Sequence, residues 1–148
     1  MRSCSSPPAS RQPLTTWTRS RFAPSGSRIA RTNSVGAALS ELRRTFPFFS
    51  GQFKDMGYQI QRYLPGEFYH WHIDGGSHEF SQRQLVAVWY LNDVPGPGGT
   101  TEFSYQNVQV QPKAGSLLLF PPFWTHEHRS ATLREGLKYI ATTWVVFR

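Results

Sequence analysis

The sequence predicts a mainly β fold, an antiparallel sandwich or barrel with one short helix on its N-terminal side. Three observations point there. From residue 57 onward, apolar residues alternate or run in blocks of strand length: YQIQRYL (58–64), QLVAVWYL (84–91), VQVQP (108–112), SLLLF (116–120) and LKYIATTWVVF (137–147). Gly/Pro clusters separate these blocks, the strongest being NDVPGPGG at 92–99. There is no internal repeat. Short strands punctuated in this way build sandwiches and barrels.

Taken in order, residues 1–32 read as a disordered tail, rich in Ser, Arg, Pro and Thr, with only Trp17 and Phe22 as aromatics. Prolines 7, 8, 13 and 24 break any apolar period. So little apolar area cannot offset the entropy of ordering the chain. Residues 1–40 are Arg-rich, Ser-rich and acid-free, like an organelle transit peptide. The plainer readings are a disordered extension, or a start codon placed upstream of the true domain. No apolar core of a secretory signal is present in this segment.

Residues 33–148 are expected to form the single domain. Its first element is a helix from Val35 to about Arg44, because Val35, Ala38, Leu39 and Leu42 share one face. Asn33 or Ser34 can cap it, Phe46–Pro47 ends it, and Gly36 weakens it. TTEF (100–103) and HEHRS (126–130) complete the strand set.

Composition narrows the function classes. The chain has 148 residues, 39% of them apolar and 15% aromatic, which suffices for one packed core. The longest apolar run, LVAVWYL at 85–91, is too short to span a membrane. A single cysteine, Cys4, excludes an intramolecular disulfide framework and a cysteine zinc cluster. The net charge of +7 belongs to residues 1–50, with eight arginines against Glu41 alone. Residues 51–148 carry eight basic and eight acidic side chains. A basic nucleic-acid face on the body is therefore not expected. The expectation is a soluble protein, cytoplasmic unless the tail is a transit peptide.

All five histidines follow residue 69, two in HWHID (70–74), two in THEH (125–128), and His78. Residues two apart on a strand share a face, so His72 and Asp74 project together, as do His126 and His128. A His-x-Asp pair plus one distant histidine is the donor set of a 2-His-1-carboxylate site. That set leaves coordination positions open and suits Fe(II) oxygen chemistry. Zinc accepts the same donors.

Four segments in order resemble the Fe(II)/2-oxoglutarate-dependent dioxygenase superfamily, in the branch of the prolyl 4-hydroxylase catalytic domain. They are QRYLPGEFYHWHID, VWYLNDVPGPGGTTEF, VQPKAGSLLLF and HRSATLREGLKYIATTW, between Tyr58 and Phe147. The resemblance implies a double-stranded β-helix, or jelly roll. It implies His72, Asp74 and His128 as catalytic metal ligands, with His128 preferred to His126 by its offset to Gly136 and Lys138. It assigns Lys138 to the far carboxylate of 2-oxoglutarate. Tyr63 and Thr101 are its hydroxyl partners, and Trp144 a pocket wall. Fe(II) and the cosubstrate 2-oxoglutarate follow, with ascorbate as a further candidate. The implied reaction hydroxylates an unactivated C–H bond with dioxygen and decarboxylates 2-oxoglutarate to succinate. The substrate would be peptidyl proline or a small molecule, with neither nucleic acid nor membrane as a partner.

His126 is then a rim or supporting residue, His70 a pocket wall and His78 a loop residue. Loop 75–83 could form a lid, and Arg83 and Arg129 fall near the mouth. Thr132 and Leu133 stand where the family has Pro-Val, and Thr100 where it has Glu. The segment before Tyr58 is thin for this fold, so a truncated or partner-dependent domain is expected, with an exposed sheet edge. Competing readings are a nucleic-acid demethylase of the same superfamily, a non-catalytic jelly roll, a cupin-type metal protein and a zinc hydrolase. The demethylase pattern resembles one with arginine in place of Lys138.

Overall fold

The computed structural model describes residues 16–17 and 28–148. The predicted tail falls mostly outside them. In chain order the elements are β1 (Thr16–Trp17), α1 (Arg28–Thr45), β2 (Phe53–Asp55), β3 (Gln59–Tyr63), β4 (Tyr69–His72) and β5 (Arg83–Tyr90). They continue with β6 (Thr101–Phe103), β7 (Val108–Val110), β8 (Leu117–Phe120), β9 (His128–Ser130) and β10 (Lys138–Phe147).

Two antiparallel sheets face each other as a jelly roll. The larger runs β1-β8-β5-β10-β2, with β3 also on β10. The smaller runs β4-β9-β6-β7. Strands β3 and β2 occupy successive halves of the same β10 edge: Lys138–Thr142 pair with Tyr63–Gln59, and Val145–Phe147 with Asp55–Phe53. The segment that looked thin, before Tyr58, therefore covers the Val145–Phe147 end of that edge through β2.

Side-chain parity divides the larger sheet cleanly. Val86, Val88 and Tyr90 of β5, Leu118 and Phe120 of β8, and Ile140 of β10 point between the sheets. They meet Phe103 and Val110 of the smaller sheet. The intervening residues Leu85, Ala87, Trp89, Leu117, Leu119, Ala141 and Val145 face outward, beneath Val35, Ala38 and Leu42 of α1. Burial on both faces is why β5 and β8 read as continuous apolar runs rather than alternating ones. Each large side chain so buried contributes about 1.5–3 kcal/mol.

Three local differences from the sequence reading have physical causes. Helix α1 begins seven residues before Val35, through a stretch without the apolar spacing that marked its later turns. Thr16–Trp17 pair with Leu118–Leu117 of β8, a bridge too short to carry a period. The predicted strand 126–130 begins only at His128, because Trp124–His126 wind into a 3-10 turn after Pro121–Pro122.

Gly98 and Gly36 make opposite predictions. Gly98 has φ +83°, and a Cβ there would lie 2.1 Å from the Thr132 carbonyl oxygen, a rigid backbone atom. Gly36 sits within α1 with nothing near its Cβ direction. Denaturant titration should show Gly98→Ala destabilised by about 3 kcal/mol or more. Gly36→Ala should be stabilised by about 0.5–1 kcal/mol.

Candidate active site

One cavity of about 470 Å³ opens between the sheets. His72, Asp74 and His128 lie on its wall, their ligand atoms all within 4.8 Å of one another. His72 and His128 face each other across the β4–β9 pairing, with ring centroids 4.2 Å apart. Asp74 lies beyond the end of β4, where its N–H and that of Gly75 donate to the Pro122 carbonyl at 3.1 and 2.7 Å. Its Oδ2 is 3.3 Å from His128 Nε2.

The two histidines are oriented by the same device. His72 Nδ1 donates to the carbonyl of His70 at 2.8 Å, and His128 Nδ1 to that of His126 at 3.0 Å. A carbonyl only accepts, so each Nδ1 carries a proton, and in the neutral imidazole Nε2 is the nitrogen left with a lone pair toward the cavity. Burial and then the neighbouring His128 lower the His72 pKa, which favours that neutral form. Burial alone would raise Asp74. Its contacts with His128, then His72 and Trp144, outweigh burial and hold the carboxyl below its usual range. The Trp144 Nε1–H is buried without a hydrogen-bond partner among the described residues.

At the other end of the cavity lies Lys138, 1% exposed. Its Nζ donates to the Gly99 carbonyl at 2.7 Å and to Ser130 Oγ at 2.8 Å, over the Tyr63 ring. Among the described residues no carboxylate pairs with it. Burial pulls its pKa down to about 8. Thr101 and Tyr63 complete this end. The Tyr90 hydroxyl donates to Thr101 Oγ1 at 2.7 Å, leaving the Thr101 proton free to donate. Burial, then Tyr69, pushes the Tyr63 hydroxyl above its ordinary pKa, so it remains a donor. Val86, Val88, Ile140 and Trp144 supply the apolar walls.

A model of the 2OG-Fe(II) oxygenase superfamily matches residues 58–146. The chain belongs to that superfamily. No curated protein matches it in sequence. Its fold is similar to the viral collagen prolyl hydroxylase of Paramecium bursaria Chlorella virus-1 in its 2OG complex. That likeness has 23% identity and a TM-score of 0.67, and covers 86% of this chain and 77% of that one. A Pseudomonas putida prolyl-4-hydroxylase is similar at 24% identity and TM-score 0.60, over 86% and 70% of the two chains. A Trichoplax adhaerens prolyl hydroxylase, in complex with a hypoxia inducible factor oxygen degradation domain peptide fragment, is similar at 20% and 0.59, over 79% and 56%. These likenesses are of fold.

As a 2OG-Fe(II) oxygenase domain, the chain gathers His72, Asp74, His128, Lys138, Tyr63, Thr101 and Trp144 around one cavity. Two expectations need correction. His70 is exposed and packs edge-on against Phe68 rather than walling the pocket, because the β4 register shifts between Tyr69 and His72. Tyr69 takes the wall instead. His126 does not share the face of His128, since it sits in the 3-10 turn against Phe103. Its backbone, not its ring, serves the site. Ser130 was missed, although it stands two residues from His128 on the same strand face and parity could have found it. Tyr90 was also missed, hidden in an apolar run. Arg83 and Arg129 both line the cavity. Arg129 is paired with Glu102 at 2.8 Å and lies over Trp71. No helix among the described residues is long and apolar enough to cross a membrane.

Lys138 predicts a pH dependence. Its folded pKa of about 8 lies below the ordinary lysine value. Between the two, the unfolded chain holds more protons, so stability rises with pH there. Urea titrations of the ligand-free protein from pH 7.5 to 10 should show this rise, on the order of 3 kcal/mol in full. Lys138→Met should remove that component.

Proposed function

We propose that this chain is an Fe(II)- and 2-oxoglutarate-dependent hydroxylase of prolyl 4-hydroxylase type, acting on an unactivated C–H bond. The observation that carries this reading is a buried lysine, without an acidic partner among the described residues, in the same cavity as a His-Asp-His donor set. A buried ammonium calls for an anion. A dicarboxylate long enough to reach from Lys138 to the metal donors supplies one.

In this reading His72, Asp74 and His128 hold the metal, and two neutral imidazoles with one carboxylate suit Fe(II). Bound Fe(II) would supply dioxygen activation coupled to decarboxylation of 2-oxoglutarate to succinate. The chain's own residues do the rest. Lys138 takes the far carboxylate of 2-oxoglutarate, with Thr101 and Tyr63 donating to it. Trp144, Val86, Val88 and Ile140 keep water from the reacting end. Tyr69, Ile73 and Phe80, partly exposed at the mouth, form an apolar rim suited to a proline ring. The prolyl hydroxylase names of the similar structures favour peptidyl proline as substrate, and the charge-balanced body gives nucleic acid no basic face. Ascorbate would serve as an accessory reductant.

Anaerobic titration of Fe(II)-loaded protein with 2-oxoglutarate should give a saturable visible charge-transfer band. His128→Ala should abolish it. His126→Ala should keep it, because alanine retains the carbonyl that orients His128. No band from folded, iron-loaded protein would overturn the proposal. In the same assay Lys138→Ala should weaken 2-oxoglutarate binding by roughly a hundredfold or more, the scale of losing a buried charge partner. Metal affinity should stay near wild type.

A further inference from the structure

The contacts of Arg83 are unusual for an arginine at a cavity mouth. Among the described residues it forms no ion pair. Its Nη1 donates instead to the backbone carbonyl of Asp74 at 2.8 Å. Its guanidinium lies over the Trp144 ring at 4.0 Å and the Phe80 ring at 4.3 Å. Its Nε is buried without a hydrogen-bond partner. The guanidinium is thus held by a backbone carbonyl and two ring faces rather than by a direct carboxylate pair.

Asp74 needs such support. Strand β4 ends at His72, so no ladder bond fixes the residue two positions on. The Pro122 carbonyl accepts from its N–H, and Arg83 donates to its carbonyl. The Trp144 ring that backs Arg83 lines the same cavity wall as Asp74. Arg83 therefore touches both the backbone of Asp74 and the ring beside its side chain.

We propose that Arg83 is a positioning residue for Asp74, and that this clamp sets the metal affinity and ligand field of the site. The inference rests on the metal reading given above. The planar guanidinium matters here, since it stacks on two rings while one edge donates. Lysine keeps the charge but lacks the plane.

Co(II) is the probe, read in the full chain by its visible ligand-field absorption. Wild-type protein should bind it saturably. Arg83→Met and Arg83→Lys should lose about tenfold or more in Co(II) affinity, the usual scale for groups that support metal ligands. Their bands should shift, while 2-oxoglutarate affinity of the metal-saturated variants stays within about threefold of wild type, by the same supporting-group logic. Folded variants with wild-type Co(II) affinity and spectrum would overturn the inference, even if they melt earlier, because Arg83 would then be structural only. If Arg83→Met does not fold, Arg83→Lys decides by the same criterion. Failure of wild type to bind Co(II) would instead overturn the metal reading, and the clamp with it.

Discussion

The ammonium of Lys138 is the constraint around which the barrel is arranged. A charge at 1% exposure requires hydrogen-bond acceptors and a counter-charge. The fold provides the acceptors from two other strands' ends: the Gly99 carbonyl just before β6 and the Ser130 hydroxyl closing β9. Tyr63, its cross-strand partner on β3, offers a ring face. Among the described residues none supplies the counter-charge. The backbone at Gly98 and Gly99 has positive φ at both positions, which lets this loop pass close enough to present its carbonyl.

The end of the cavity that gathers His72, Asp74 and His128 is built differently. Each histidine is oriented by a carbonyl two residues upstream, within its own local segment. The backbone of Asp74, by contrast, is held by groups outside its own segment, the Pro122 carbonyl and the Arg83 guanidinium. Local devices therefore set the tautomers, and tertiary contacts set the third donor. The smaller sheet brings the two histidines together, since β4 and β9 are neighbours with His72 opposite His128. Trp144 ties this end to the larger sheet. Loss of inter-sheet packing would separate Asp74 from both histidines without disturbing either imidazole's own hydrogen bond.

Much of this was legible in the sequence where a period or a spacing carried it. Strands β5, β8 and β10 and the turn at 92–99 announce themselves by apolar runs and Gly/Pro clusters. His-x-Asp and the later His128 and Lys138 were readable from spacing and from family resemblance together. What was not legible depends on irregular backbone. Parity placed His70 and His126 on the site face, but a register shift in β4 and a 3-10 turn before β9 turned both away. Nor does a sequence show that Asp74 lies past a strand end. Short elements such as β1 and β2 carry too few residues for a pattern to emerge. The first turns of α1 lack an apolar face and are invisible for the same reason.

Strand β10 shows why core and site are specified together. Its inward residues are Lys138, Ile140, Thr142 and Trp144, and all four line the cavity. Its outward residues Ala141 and Val145 lie under the helix. A register slip of one residue would bury the outward set in the cavity and drive a lysine and a tryptophan into the helix interface. Hydrophobic patterning thus forbids the same slip that would abolish the site. The strand is paired along both edges, by β5 on one and by β3 and β2 on the other. That double anchoring holds Lys138 and Thr142, which add little to the core, as firmly as the apolar residues beside and behind them.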